Sequence, residues 1–269
     1  MDVYGLLGNP VEHSVSPALH GAAYEALGID AAYVTFETDR DRVGTAIEGA
    51  AALGVSGLNV TIPFKESVLE HVEPTELASR IGAVNTVDFG TDPPIGYNTD
   101  QVGARRALER HDVDLPNRRA VLLGAGGAAR AIGHMLIENG ATVTVLNRTV
   151  ERAEALGAEL GASAGPLSEI EDRLAEADLL INATSVGMES STSPVPADVL
   201  QGHLTVMDAV YTPIETRLLE DATAAGAETI DGAWMLLYQG VEAFEIWTGR
   251  SAPVEEMNDA LREALRANS

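Results

Sequence analysis

The stretch Ala120-Val121-Leu122-Leu123-Gly124-Ala125-Gly126-Gly127-Ala128-Ala129-Arg130 leaves few folds open to this chain. An apolar run leads straight into a glycine turn, and behind the turn Ile132, Met135 and Leu136 recur at helical spacing until Gly140. A second apolar run, Thr142-Val143-Thr144-Val145-Leu146, follows at once. Strand, turn, helix and strand in that order form a crossover unit whose strands lie parallel in one sheet. The turn fits G-x-G-x-x-A: Gly124 makes the tight bend, Gly126 lets a pyrophosphate approach the backbone, and Ala129 lets helix and strand pack closely. A glycine turn alone is weak evidence; its place between a strand and a helix makes Gly124, Ala125, Gly126, Gly127 and Ala128 a dinucleotide cradle.

The end of the second strand separates the two nicotinamide cofactors. An NAD site usually carries Asp or Glu there to bind the ribose hydroxyls. This chain has Asn147-Arg148-Thr149, with Arg152 one helical turn further on. Two arginines at that edge suit a 2′-phosphate held from two sides, which favours NADP; as ordinary solvated arginines they would say nothing.

The chain's 269 residues and 26 glycines allow two α/β domains, each with its own core. No apolar run is long enough to span a bilayer, and the N-terminus lacks a signal-peptide layout, so a soluble, cytoplasmic protein is expected. Without cysteine there is no thiolate or disulfide chemistry, and the six histidines lack metal-ligand spacing, so no metal is expected. Against 41 acidic residues stand 17 basic ones, a net charge of -24 that repels nucleic acid and anionic membrane. Of those 17, one alone is lysine, Lys65. An acidic surface nearly emptied of lysine resembles proteins adapted to a salt-rich cytoplasm, where counterions screen the self-repulsion.

Lys65 closes the run Asn59-Val60-Thr61-Ile62-Pro63-Phe64-Lys65. The order before it reads as a strand at 3–8, a helix opened by Pro17 and stopped at Gly28, a strand at 32–36, a helix over 41–53 and a strand at 57–60. That alternation puts Lys65 in a loop at the carboxyl edge of a mostly parallel sheet. Ser14 and Ser16 flank the start of the first helix, where hydroxyls and free backbone N–H groups suit a carboxylate; a plain helix cap is the other reading of either serine. A helix is expected over Ser67–Ser79, then short strands near Val84 and Ile95 that present Asn85 and Asp100. Asp100 also stands where a helix cap belongs, before a helix over 102–110.

Four motifs carry a resemblance: His13-Ser14-x-Ser16-Pro17, Asn59-x-Thr61-x-Pro63-Phe64-Lys65, Gly82-Ala83-Val84-Asn85-Thr86, and Tyr97-Asn98-Thr99-Asp100-x-x-Gly103. Together they closely resemble the substrate-binding half of the shikimate dehydrogenase family. The resemblance implies that Ser14 and Ser16 hold a substrate carboxylate, that Asn59, Thr61 and Asn85 bind ring hydroxyls, and that Lys65 and Asp100 form the catalytic pair. One departure is visible, since the family's first motif usually continues His-Asn where this chain has His20-Gly21.

The resemblance extends along the rest of the chain. Strands at 178–182 and 205–210 end in Thr184-Ser185 and Tyr211-Thr212-Pro213, loops that in the family border the nicotinamide, with Tyr211 near the substrate. Sheet-edge turn chemistry would also explain Thr184, Ser185 and Asp208. Gly232-Ala233-Trp234-Met235-Leu236-Leu237-Tyr238-Gln239 opens a helix whose motif match makes Gln239 a substrate ligand and places Gly232 and Met235 beside the cofactor. The expected architecture is therefore α/β in two domains: an N-terminal substrate domain over 1–101, completed by 233–269, and a Rossmann-type NADP-binding domain over 102–232. An acidic helix over 254–266 packs back on the first domain. The implied activity is reversible, NADP-dependent reduction of 3-dehydroshikimate to shikimate, with a homodimer among the possible assemblies. Rivals are a quinate/shikimate dehydrogenase using NAD or NADP, another lysine-dependent dehydrogenase of related architecture, and a non-catalytic NADP-sensing protein.

Overall fold

In the computed structural model, which describes residues 1–188 and 190–268, the chain divides into two units. One comprises Met1–Val102 with Leu237–Asn268, the other Gly103–Leu236. Ser269, the last residue of the expected segment 233–269, lies outside the described residues.

The first unit begins β1 (Asp2–Gly8), α1 (Ser16–Leu27), β2 (Ala31–Glu37), α2 (Val43–Ala52) and β3 (Gly57–Val60). It continues with β4 (Glu73–Pro74), α3 (Glu76–Ile81), β5 (Thr86–Asp88), β6 (Ile95–Tyr97) and the start of α4 (Asp100–Arg110). Among the described residues its strands form one sheet in the order β2-β1-β3-β5-β6-β4. Strand β1 lies between parallel β2 and β3, and Tyr4 through Gly8 are all buried, which is why this segment reads as an unbroken apolar run. Strand β5 is antiparallel to both β3 and β6, so the sheet is mixed with a parallel majority. Helix α1 carries Pro17 in its first turn and ends at Gly28, whose φ of 61° is left-handed. Leu7, Ile47, Leu58, Val60, Phe64, Val68, Val84 and Val87 share one core below the sheet edge that carries Lys65.

The helix expected over 67–79 is broken. A short 3-10 turn at Ser67–His71 gives way to β4, and α3 starts anew at Glu76. Pro74 has no N–H for a helix, and it disfavours helical backbone at Glu73 before it. Thr75 then caps α3, its side chain accepting from Ala78 N.

The second unit runs β7 (Arg119–Leu123), α5 (Gly127–Glu138), β8 (Thr142–Asn147), α6 (Val150–Leu160) and β9 (Ser163–Pro166). It goes on through α7 (Ile170–Leu174), β10 (Leu179–Asn182), β11 (Thr205–Asp208), α8 (Arg217–Ala224) and β12 (Glu228–Ile230). Its sheet has the order β12-β11-β10-β7-β8-β9, and every pairing in it is parallel. The chain moves from β7 outward to β8 and β9, then returns to β10 on the other side. The crevice beyond the ends of β7 and β10 is thus the point where the winding reverses, the place such sheets offer to ligands. Gly124 sits there with φ 109°, and a Cβ on it would lie 2.9 Å from the Ala183 carbonyl oxygen, so glycine alone fits.

Two helices close the chain, α9 (Gly232–Thr248) and α10 (Val254–Ala267). The later part of α9 is anchored on the first unit's sheet by Trp247, whose Nε1 donates to the Val87 carbonyl at 3.0 Å. Met257, Leu261 and Leu265 form the buried stripe of α10, which packs against α1 within the first unit.

Candidate active site

Lys65 is fixed by its neighbours before its own side chain is considered. Phe64 is 1% exposed and inserted in the core, and the Lys65 carbonyl accepts Val84 N at 2.7 Å. The ammonium is directed at Asp100, with Nζ 2.7 Å from Oδ2. Asp100 is buried at the first turn of α4, and its other oxygen, Oδ1, accepts Asn85 Nδ2 at 2.9 Å. The helix-cap role expected of Asp100 is not filled by it. Its carboxylate is spent on Lys65 and Asn85, and Asn98 Oδ1 instead accepts Asp100 N at 3.2 Å.

Asn85 is the centre of the arrangement. Its Oδ1 accepts Thr99 N at 2.7 Å, with the hydroxyls of Thr99 and Thr86 each 3.2 Å away. Its Nδ2 donates to Asp100 and, over 3.3 Å, to Gln239 Oε1. Lys65, Asn85, Asp100 and Gln239 therefore meet in one group within the first unit. Asn59 joins them through Thr86: its Nδ2 donates to Thr86 Oγ1 at 3.1 Å, while its Oδ1 accepts the Tyr33 hydroxyl at 2.7 Å.

Tyr33 leads back to the serines. Its hydroxyl also bonds the Ser16 side chain, and burial holds its pKa well above the ordinary tyrosine range. The ring stacks on His20 with centroids 4.4 Å apart and planes within 3°. His20 is fully enclosed, and burial pushes its pKa down to about 3 against an opposing hydrogen bond with Asn59, so the imidazole is neutral. Ser14 and Ser16 are both half-buried at the start of α1, where Ser14 Oγ accepts Ser16 N at 3.2 Å. Thr61 is half-buried after β3, and its hydroxyl has no partner among the described residues.

The second unit holds the other expected residues. Gly126 caps α5 and Gly127 opens it, so the turn presents the first-turn N–H groups that a helix start leaves without internal acceptors. A Cβ on either glycine would meet nothing within 4 Å, whereas Ala129 one turn later is fully buried. Space in front of the cradle and close packing behind it fit a bound pyrophosphate. Arg148 and Arg152 are exposed, and neither forms an ion pair among the described residues. Asn147 Nδ2 donates to the Thr149 carbonyl at 3.0 Å, shaping the turn that presents Arg148. Both guanidinium groups stand near the end of β8 in a chain of net charge -24.

Thr184 and Ser185 follow β10. Thr184 N and Oγ1 both donate to Asn182 Oδ1, at 3.1 and 2.7 Å, and Asn182 Nδ2 donates to Asp208 Oδ1 at 2.8 Å. Asp208 also accepts Val210 N and, at 2.7 Å, the Thr216 hydroxyl. Burial raises its pKa to about 6 in spite of these three donors. One buried carboxylate thus ties the loops after β10 and β11 together. Tyr211 is half-buried after β11, and Gly232 and Met235 are buried at the start of α9, all three in the second unit.

The sequence motifs contain Thr86, Thr99 and Asn98 but do not single them out, and Tyr33 and His20 lie outside the site expected from them. The available signal was chemical: a buried threonine or asparagine must find hydrogen-bond partners, and these alternate with the residues of interest.

Comparison with known proteins follows the same division. Residues 6–87 match the family described as shikimate dehydrogenase substrate binding domain, 105–193 that of shikimate / quinate 5-dehydrogenase, and 232–262 that of shikimate 5'-dehydrogenase C-terminal domain. A shikimate dehydrogenase (NADP(+)) of Haloarcula marismortui is 62% identical over 266 residues, covering 98% of this chain and 100% of the relative. A crystal structure of a shikimate dehydrogenase in complex with NADP+ superposes with a TM-score of 0.94 at 40% identity, covering 98% of this chain and 96% of the other. Shikimate 5-dehydrogenase of Thermus thermophilus, in complex with NADP(H) and shikimate, gives 0.92 at 39% identity, covering 98% and 100%.

Proposed function

This chain belongs to the shikimate dehydrogenase family, and from that membership we propose that it reduces 3-dehydroshikimate to shikimate reversibly, with NADPH as reductant and Lys65 and Asp100 as its catalytic pair. The observation that carries the proposal is the chain's single lysine held 2.7 Å from a buried carboxylate at a sheet edge.

The dinucleotide cradle and the two unpaired arginines fit NADP: the first turn of α5 takes the pyrophosphate, and Arg148 and Arg152 take the 2′-phosphate. When bound, NADPH supplies a hydride to the ketone carbon. The ketone oxygen would then carry a full negative charge unless a proton reached it. Lys65 Nζ gives that proton, and in the reverse direction takes it from the alcohol. A donor held within hydrogen-bond reach contributes about 10²- to 10⁴-fold, and the ammonium also stabilises the charge as it develops. Asp100 aims Lys65, and Asn85 aims Asp100.

Ser14 and Ser16 hold the substrate carboxylate at the N-terminus of α1, where hydroxyls and helix amides act together. The free hydroxyl of Thr61, together with Asn59, Asn85 and Gln239, serves the ring hydroxyls. The long 3.3 Å contact between Asn85 and Gln239 is the one most readily exchanged for a substrate hydroxyl. Among the described residues no helix is long and apolar enough to cross a membrane. Our reading is a cytoplasmic enzyme of a salt-adapted organism, with a homodimer as the assembly to seek by sedimentation.

A spectrophotometric assay in molar KCl, pairing shikimate or quinate with NADP or NAD, tests this. Shikimate with NADP should be fastest. A faster rate with quinate and NAD would transfer the chain to the quinate branch, and no nucleotide reduction in any arm would dismiss catalysis.

A further inference from the structure

We infer that Thr86, fully buried on β5, is a positioning residue for the catalytic pair: its hydroxyl, with that of Thr99 beside it, fixes the two asparagine amides on which Lys65 and Asp100 depend. This rests on the reading of Lys65 and Asp100 as the proton-transfer pair.

An unbroken line of side-chain contacts runs through the first unit. Tyr33 donates to Asn59, Asn59 to Thr86, Thr86 faces Asn85, Asn85 donates to Asp100, and Lys65 closes on the far oxygen of Asp100. Thr86 is its only hydroxyl link between two amides. Its Oγ1 accepts Asn59 Nδ2 at 3.1 Å, lies 3.2 Å from Asn85 Oδ1, and lies 3.3 Å from Thr99 Oγ1.

The orientation of the amides follows from what each atom can do. An amide oxygen only accepts, and an amide nitrogen only donates. On one side Asn85 faces three donors, Thr99 N and the two threonine hydroxyls, so its oxygen belongs there. Its nitrogen is thereby turned to Asp100. Were the amide reversed, its oxygen would face the carboxylate at 2.9 Å, acceptor against acceptor, and Asp100 could no longer present a settled oxygen to Lys65. Asn59 is fixed in the same way, with Tyr33 donating to its oxygen and Thr86 accepting from its nitrogen. Thr86 is therefore the one group that must accept from one amide while lying against the acceptor of the other. Valine has its shape but would set a methyl against both amides, leaving Asn59 Nδ2 with the 3.4 Å contact to the Asn85 carbonyl alone.

Lys65 makes the test direct. Because it is the only lysine, labelling the protein with lysine carrying ¹³C at Cε alone gives one side-chain signal, and that signal reports the contact with Asp100. In Thr86→Val, kcat with shikimate should fall about tenfold, KM for NADP should stay within about twofold, and the lysine signal should move. Thr86→Ser keeps the hydroxyl and should restore most of kcat and the wild-type signal. If Thr86→Val does not fold, Thr86→Ala carries the same expectation. A folded Thr86→Val or Thr86→Ala variant with wild-type kcat, or with an unmoved lysine signal, overturns the inference. Wild-type protein that fails to oxidise shikimate overturns the functional reading instead, and the lysine signal still decides the role of Thr86.

Discussion

Replacing Lys65 by methionine should separate the two things its ammonium does. The substitution keeps a similar apolar stem and deletes the charge, leaving the Asp100 carboxylate, whose side chain is 5% exposed, with Asn85 as its one remaining donor. Breaking a buried ion pair by removing one partner costs about 3–5 kcal/mol, because the other charge stays buried. Lys65 is 27% exposed, so water can reach part of the site, and the expected loss is at the low end, about 3 kcal/mol. Molar salt will not abolish it, since the contact of 2.7 Å is no longer than the ~3 Å screening length at 1 M. Adding Asp100→Asn removes the orphaned charge, so Lys65→Met/Asp100→Asn should recover most of that stability. Neither variant should recover turnover: loss of the proton donor predicts a fall in kcat of about 10²- to 10⁴-fold in both. Lys65→Arg keeps the charge and should be nearly as inactive, because a guanidinium is too weak an acid and the wrong shape for this transfer. Urea unfolding in molar KCl and initial rates with shikimate and NADP measure the two effects. A double variant less stable than Lys65→Met, or a Lys65→Met enzyme within tenfold of wild type, would refute the reasoning.

Three further outcomes are expected. Asp208 titrates near 6 in the folded protein against an ordinary value of 3.8, so between these values the folded state holds a proton the unfolded state has lost. Stability must then fall as pH rises from about 4 to 6, by up to roughly 3 kcal/mol from this group, and stay reduced above it; Asp208→Asn should lack this component, and parallel pH curves for variant and wild type would contradict it. Arg148→Ala and Arg152→Ala should each raise KM for NADP by about tenfold or more while leaving NAD-linked rates unchanged, as steady-state kinetics will show. With a net charge of -24, the melting midpoint should climb steeply between low and molar KCl, and a flat profile would remove the salt-adapted reading.

How far the site was legible depended on the range of the interactions involved. The glycine turn could be read because a crossover unit is local: strand, turn, helix and strand occupy 29 consecutive residues, 119–147. The first helix was legible for the same reason, with Pro17 and Gly28 marking its ends. Legibility failed where one residue has two local meanings. In the sequence Asp100 looks like the cap of a following helix, yet it is itself the first residue of α4 and its carboxylate is drawn to Lys65, 35 positions away in sequence. The region 67–79 carried apolar residues at helical spacing, but Pro74 divides it and Thr75 restarts the helix. Strands β9 and β12 had no reading at all, because Ser163–Pro166 and Glu228–Ile230 are short edge segments that owe their conformation to β8 and β11.

The sequence by itself determined the chemical inventory: one lysine, no cysteine, a dinucleotide turn followed by arginines instead of an acid, and two serines at a helix start. Each of these is a choice of atoms, and folding cannot alter it. The tertiary structure decided which atoms face each other. Asn59 with Lys65, Asn85 with Thr86, and Asp100 come from three separate segments of the first unit, and the hydrogen bonds between those segments depend on tenths of an ångström that no spacing along the chain encodes. Only there does a buried threonine acquire a role, because a hydroxyl positions its neighbours only where the fold sets it between them.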